Sequence, residues 1–370
     1  EISECDWSSD VCSSDLTRNQ IMTINVPWES GVKEKLINAG NIQNSGIEIA
    51  LNTTPIKKKQ WQWDLNFTYT RNRNKIVELS PDVTSYINLD GAANYGNYRI
   101  ASVAKVGSDY GMLMSDSWIK TDEKTGKPVV GYTNKFRTVY YKRGGTVKEV
   151  GSMLPNFLGS LNSTLRWKDL SLYVLFDARF GGYVASYNSR YATAYGFSGE
   201  TEKYRKGMTW TSKYANAQDK VFTDGFIPDV VFDAGTIVTT PGGTNQDVSG
   251  MTYQEAYEKG YVEPAHLQSA AYFKNSWGTG VINDDWFKKI NYIALREITL
   301  SYNVPTKISS YIGAKNLSLS FTGRNLAYLL NTAPNHENPE SVRGTGAAQF
   351  RMRSFMPYTA SYLFTLNATF

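Results

Sequence analysis

The sequence predicts an all-β fold, an antiparallel transmembrane β-barrel with long extracellular loops. Three observations carry that prediction. Apolar and polar residues alternate with period two in segment after segment, the connections between these segments are very unequal, and 14% of the 370 residues are aromatic. Successive side chains of a strand face opposite sides, so strict alternation gives one apolar and one polar face. Tyr and Trp join an apolar body to a polar tip, which suits them to a membrane–water boundary and to stacking on sugars.

In chain order, Ile47, Ile49 and Leu51 alternate with Glu48, Ala50 and Asn52. Trp61, Trp63, Leu65, Phe67 and Tyr69 then alternate with Gln62, Asp64, Asn66, Thr68 and Thr70, giving one wholly apolar face with aromatics at its ends. Leu161, Ser163, Leu165 and Trp167 oppose Ser160, Asn162, Thr164 and Arg166, and Lys168-Asp169 makes a tight turn into Leu170, Leu172, Val174 and Phe176. Ile298, Leu300 and Tyr302 alternate with Glu297, Thr299 and Ser301, and Leu317, Leu319 and Phe321 with Ser318, Ser320 and Thr322. The final segment places Tyr362, Phe364, Leu366, Ala368 and Phe370 on one face, with Thr365, Asn367 and Thr369 on the other; Leu363 breaks the polar row.

A soluble sandwich also alternates, so the connections decide. Short links such as 55–60 and Lys168-Asp169 contrast with long ones over 80–154 and 181–285. Short turns at one end and long loops at the other are the pattern of an outer-membrane barrel, whereas such loops are out of place in a compact soluble domain. Within the loops, Lys142–Thr146 and Thr240–Thr244 read as hairpin turns, and Tyr253–Lys259 as a short helix. Mean hydropathy is −0.40, as expected of strands that are apolar on one face, and no stretch nears the roughly 18 apolar residues of a membrane helix.

Other classes find little support. Net charge is +5 without a cationic block, which argues against nucleic acid. The two histidines, His266 and His336, form no His-x-x-x-His pair, and neither a Gly-x-Ser-x-Gly elbow nor a phosphate-binding glycine loop occurs. Asp284-Asp285 reads as a solvated loop and Asp122–Gly126 as a plain turn. No enzyme activity, metal or cofactor is expected. Residues 1–16 hold both cysteines, Cys5 and Cys12, and are unlike the rest of the chain. They read as a non-native extension, with 17–370 as barrel, Glu1 as a break in a longer frame and Phe370 as its end.

Six phrases in order resemble the C-terminal barrel region of the SusC/RagA family of TonB-dependent outer-membrane transporters of Bacteroidetes-type bacteria. They are Gly40–Glu48 (GNIQNSGIE), Gly111 with Asp122–Pro128 (DEKTGKP), Gly151–Asn162 with Pro155-Asn156-Phe157 and Gly159, Phe180-Gly181-Gly182, Leu295–Pro305 (LREITLSYNVP) and Phe321–Leu326 (FTGRNL); an aromatic closes the chain. The resemblance implies that this chain is the C-terminal part of a large, 22-stranded barrel. The plug domain, the energy-coupling box and the early strands would lie upstream. It further implies energy from the TonB–ExbB–ExbD complex, a SusD-like surface lipoprotein as lid, and uptake of oligosaccharides or similar large nutrients in the cell outer membrane.

The loops and faces supply the candidate residues. Tyr95, Tyr98, Trp118, Tyr195, Trp210 and Trp277 fall in the long loops and are candidates for substrate contact, or else for loop packing. Trp61, Trp63, Tyr69, Trp167, Tyr362, Phe364 and Phe370 are candidates for girdles against outer-membrane lipids. Asp64, Asn66, Asn162, Arg166 and Asp177 point inward, where they meet a plug or a passing solute. Two other functions stay open. One is a TonB-linked receptor for a peptide, siderophore or cobalamin. The other is a soluble or surface β-rich glycan-binding module.

Overall fold

The computed structural model describes residues 6–8, 13–25, 31, 34–81, 83, 85–89, 100–135, 137–194, 197, 199, 207–266, 282, 287–343, 350–352 and 357–370. The chain opens with β1 (Asp6–Ser8), β2 (Ser13–Asn25), β3 (Glu34–Lys57) and β4 (Trp61–Leu79). A long connection then carries β5 (Ile87–Asn88), β6 (Ile100–Ala104), β7 (Met112–Ser115), β8 (Val129–Thr133), β9 (Thr138–Tyr141) and β10 (Lys148–Ser152). Next come β11 (Phe157–Trp167), β12 (Leu170–Ser186) and helix α1 (Tyr187–Ala194). The second long connection holds β13 (Met208–Thr211), β14 (Val221–Phe226), β15 (Val231–Phe232), β16 (Ile237–Thr239), β17 (Asn245–Asp247), helix α2 (Tyr253–Glu258) and β18 (Ala265–His266). The chain finishes with β19 (Phe287–Val304), β20 (Asn316–Asn331), β21 (Val342–Arg343), β22 (Arg351–Met352) and β23 (Ser361–Thr369).

The main sheet runs β3-β4-β11-β12-β19-β20-β23, every neighbour antiparallel, with β1 and β2 both paired to β3. No closing pair joins β23 to the other edge among the described residues. Register makes the alternation of each strand a property of the whole sheet. One row of Cα partners runs Leu51, Phe67, Leu161, Phe176; a second runs Trp63, Leu165, Leu172, Leu300, Phe321, Phe364. These side chains form one continuous apolar face, much of it exposed. The opposite face pairs Asn52 with Asn66, Asn66 with Asn162, Thr164 with Asp64, and Thr299 with Thr322.

Aromatic rows bound the apolar face. At the short-turn end Trp61 stacks on Trp167 with centroids 5.6 Å apart; higher up, Tyr69, Phe157 and Phe180 form a second row at 5.4 and 4.8 Å. Eight residues separate the two rows along β4, roughly 27 Å of strand, of the order of a bilayer's apolar band. Trp63 lies just inside the lower row, and its indole donates to Ser163 Oγ at 2.9 Å. Tyr362, Phe364 and Phe370 are exposed on the same face of β23. Among the described residues no helix is long and apolar enough to cross a membrane.

Several strands outrun the alternation seen in sequence. β4 continues past Thr70 to Leu79 and β12 past Phe180 to Ser186. In these upper halves Ile76, Leu79, Val184, Ala185 and Ile290 are buried beneath the loops. β12, buried on both faces above Phe180, no longer needs a polar row, whereas β4 keeps Lys75, Val77 and Glu78 exposed there. At Gly181-Gly182 both φ values are +88° and the β12–β19 register shifts. A Cβ on Gly181 would stand 2.7 Å from Asn156. Glycine therefore permits a bulge that bends β12 under the loops.

The long connections fold rather than trail. β8 and β9 pair with each other, and β15 joins β8 in parallel through Val231–Val129 and Phe232–Val130. Their core gathers Val130, Val139, Phe232, Val238, Val248 and Tyr253 from both connections. Lys120 Nζ reaches Asp233 across them at 2.7 Å. Helix α2 begins with a reciprocal capping box between Thr252 and Glu255, as its sequence suggests. Thr240–Thr244 turns the β16–β17 hairpin as expected. Lys142–Thr146 does not make a hairpin: β10 turns away from β9 to pair with β7, and Arg143 bridges to Ile119.

Two outcomes test this architecture in the full-length protein. Leu161→Arg, in the middle of the apolar face, should destabilise folding into vesicles by about 2–4 kcal/mol. Asn162→Arg on the polar face should change it far less, both read by denaturant titration. Phe232→Ala should destabilise the loop unit by about 3–5 kcal/mol. Limited proteolysis would then cleave 118–143 and 208–266 faster while the heat-modifiable mobility of the barrel stays unchanged.

Candidate functional site

The polar face is a ladder of paired side chains. Thr68 and Ser160 hydroxyls lie 2.6 Å apart, Asn162 Nδ2 donates to Asn66 Oδ1 at 3.4 Å, and Asn66 in turn donates to Asn52. Arg166 Nη1 sits 2.6 Å from Asp64 Oδ2, and Arg324 Nε 2.9 Å from Glu297 Oε2. The inward residues singled out from sequence thus stand where alternation puts them, each engaged with a neighbour.

Higher on this face an irregularity builds a denser cluster. The register shift against β12 leaves Arg296 as the extra residue of a bulge, and opposite it β20 carries its own extra residue at Asn325-Leu326. A bulge re-aims side chains, and here Arg296 turns to the same side as Glu297. Its Nη2 lies 2.7 Å from Asp177 Oδ2 and 2.6 Å from Glu340 Oε1, while Nη1 donates to Glu340 Oε2 at 2.7 Å. Tyr328 Oη also donates to Glu340, at 2.7 Å, and reaches Asn338 at 3.1 Å. Glu340 belongs to the connection from β20 to β23, so this cluster pins that connection against the barrel wall.

Beside the cluster an open pocket of about 730 Å³ lies between α1 and the same connection. Asn188, Tyr191, Phe197, Asn335, His336 and Tyr358 are among its lining residues. Asn335 and His336 both take left-handed backbone conformations, φ 53° and 54°, the kind of strained non-glycine geometry that gathers at binding sites. Asn335 Nδ2 donates to Ser189 Oγ at 3.2 Å, which ties the turn to α1. Phe197 stands at the rim, 84% exposed. The Tyr358 ring packs 4.6 Å from Tyr328, and its enclosed hydroxyl makes no hydrogen bond among the described residues. Amides and rings together with the His336 imidazole and the Glu337 carboxylate give the pocket a mixed polar lining suited to a polar chain molecule.

Two carboxylates three residues apart respond oppositely. Burial pushes Glu337 above its ordinary value, against hydrogen bonds from Ser186 and Asn188. Burial also acts to raise Glu340, but the Arg296 and Tyr328 hydrogen bonds and the Arg296 charge outweigh it and hold Glu340 below the usual range.

Of the loop aromatics named from sequence, the two described ones, Trp118 and Trp210, sit in different clusters. Trp118 packs against Phe287 at 6.3 Å and donates to the Ser115 carbonyl, inside a cluster with Ile100, Leu113 and Phe350. Trp210 stacks on Phe222 at 4.9 Å and donates to Glu263. Tyr95, Tyr98, Tyr195 and Trp277 lie outside the described residues, as does Asp284-Asp285. Asp122 accepts from the Thr125 amide and hydroxyl, which closes its turn. Glu263 and His266 do have Glu-x-x-His spacing, a pair not singled out from sequence. They face different partners: Glu263 takes the Ser212 hydroxyl at 2.8 Å, and His266 pairs with Asp224 at 3.1 Å. Among the described residues no group of three possible metal ligands occurs. The Arg296 cluster and the pocket were missed from sequence; Arg296 lies inside a quoted motif, but no local signal foretells its bulge.

No family model matches the sequence. TonB-dependent receptor P26 of Formosa agariphila is 22% identical over 317 residues, covering 84% of this chain and 27% of that protein. Among solved structures, the RagAB peptide transporter superposes with a TM-score of 0.55 at 13% identity, over 97% of this chain and 33% of that one. The RagAB peptide importer in its closed-closed state gives 0.55 at 15% identity, over 98% and 34%. The chain therefore spans about a third or less of the length of these relatives. Fold, faces and likeness together define the class: antiparallel strands of the kind that build outer-membrane β-barrels. Within it, the chain is similar in fold to strands of the RagAB transporters and in sequence to a TonB-dependent receptor.

A native value raised above that of the free chain is relieved as pH falls through it, whereas the benefit of a lowered value is lost as pH falls. Protection of the 331–360 connection from proteolysis in the full-length protein should therefore rise as pH drops toward 4.5, while Glu337 takes up its proton. It should then fall below 4.5 as Glu340 protonates. Glu337→Gln should flatten the upper phase and Glu340→Gln the lower; an unchanged profile in both would contradict this account.

Proposed function

We propose that the chain supplies later strands of a TonB-dependent importer that carries large, polar nutrients across the outer membrane. The observation that supports this most is the pairing of two faces in one register. An uninterrupted apolar exterior suits lipid, and a hydrogen-bonding interior leads up to a pocket beneath folded extracellular loops. Oligosaccharides are the first cargo, in keeping with the polar, ring-lined pocket. A SusD-like surface lipoprotein would lid the loops, and the TonB–ExbB–ExbD complex would act on parts of the protein upstream of these strands. Peptides are the second cargo. The RagAB neighbours are peptide transporters, and the amides at Asn188, Asn335 and Asn338 fit a peptide backbone as well as sugar hydroxyls.

Uptake by cells carrying the full-length protein and its neighbouring lipoprotein gene tests this reading. Labelled oligosaccharides and labelled oligopeptides should be compared with and without a functional TonB. TonB-dependent accumulation of either class supports import and identifies the cargo. Phe197→Ala with Tyr358→Phe should raise the half-saturating concentration several-fold. A full-length product that is monodisperse in plain buffer and binds glycans without any membrane would instead establish the surface-module alternative.

A further inference from the structure

The three short turns of the sheet form one contiguous rim. Lys168 N donates to the Gln60 carbonyl at 2.9 Å, linking the β3–β4 and β11–β12 turns. Asn303 N donates to the Asp169 carbonyl at 2.8 Å, linking the next turn, between β19 and β20. Along this rim stand Lys57, Lys58, Lys59, Lys168, Lys307 and Lys315, all exposed, against the single acid Asp169. None of the six forms an ion pair among the described residues. Lys168 Nζ lies over the Trp167 ring at 5.4 Å, and Lys315 Nζ donates to the Phe370 carbonyl at 3.2 Å.

The β19–β20 turn departs from its neighbours. The β11–β12 link is Lys168-Asp169 alone, whereas residues 305–315 fold into a helical turn, Thr306–Ser309, followed by Ser310–Ile312. Ser309 and Ala314 are buried, which turns Ile308, Tyr311 and Ile312 outward at 56%, 89% and 58% exposure. These three are exposed at the end of the sheet where the apolar face finishes in Tyr302, Leu317 and Phe370. Apolar anchors directly below an apolar band, an aromatic pair, and unpaired lysines around them are the components of a headgroup site.

We infer that this rim binds anionic phospholipid headgroups of the leaflet facing the short turns, with Ile308, Tyr311 and Ile312 inserted at the acyl boundary and the six lysines on the phosphates. The occupant is a lipid rather than a protein because the basic rim is continuous with the lipid-facing wall and follows its curve across three turns. The inference uses the outer-membrane setting and is independent of what is transported.

The full-length protein in nanodiscs mixing phosphatidylglycerol with phosphatidylcholine provides the test, with retained lipids counted by native mass spectrometry. The wild type should retain phosphatidylglycerol preferentially, and raised salt should weaken that preference. Each lysine near an anionic surface contributes roughly fivefold. K307Q/K315Q should therefore cut the preference by more than tenfold, and K57Q/K58Q/K59Q/K168Q by more, with heat-modifiable mobility unchanged. I308S/Y311S should weaken retention of both lipids alike. Lys124→Gln, in an extracellular loop, should change nothing. Equal retention of the two lipids by the wild type, or a preference that survives both lysine variants, overturns the inference. So does a result in which the lysine variants keep lipid selectivity and lose a periplasmic protein or peptidoglycan instead.

Discussion

Inside a hydrocarbon layer a backbone amide finds no water, so each strand there must be paired along its whole length. The rest of this structure depends on that constraint. β4 with β11, β11 with β12 and β20 with β23 run without any register shift over the apolar face. A slip of one residue would carry Asn66, Asn162 and Asp64 into lipid and Phe67, Leu161 and Leu165 into the interior. The alternation visible in each strand is therefore enforced by its neighbours, and the lower and upper aromatic rows align across two and three strands for the same reason.

Irregularity occurs even at the level of the apolar row, where Phe176 pairs with Leu295 beside the bulged Arg296. The double-glycine bulge of β12 and the Arg296 bulge of β19 both open toward the polar side and the loops. The first bends the wall, and the second delivers a guanidinium to two carboxylates that arrive from a wall strand and from a loop. Arg296 keeps its charge beside Asp177 and Glu340 because the hydrogen bonds to both offset the loss of water. The pocket depends on that arrangement, since the connection that supplies Asn335, His336 and Tyr358 is the one that Glu340 pins.

The aromatic content that first suggested a membrane or a sugar serves three ends. Trp61, Trp167, Tyr69 and Phe157 line the apolar face, Phe232, Tyr253 and Trp118 build the cores of the loop layer, and Phe197 and Tyr358 meet the pocket. Composition cannot separate these uses, because burial, stacking and interfacial placement all draw on the same amphipathic rings.

The sequence by itself determined the strand faces, the end that carries short turns, the lower aromatic row and the short helix α2. Each rests on residues within one strand or one turn, where pleat and capping are local rules. Tertiary structure alone decided the upper halves of β4 and β12, the joint core of the two long connections, the Arg296 cluster and the pocket. Arg296 meets Asp177 across 119 residues of chain and Glu340 across 44. A bulge that joins such distant groups leaves no periodic trace. The misjudged hairpin at Lys142–Thr146 has the same origin: glycines mark a turn, but which strand receives β10 depends on the Leu113 and Met153 core on which β7 and β10 meet.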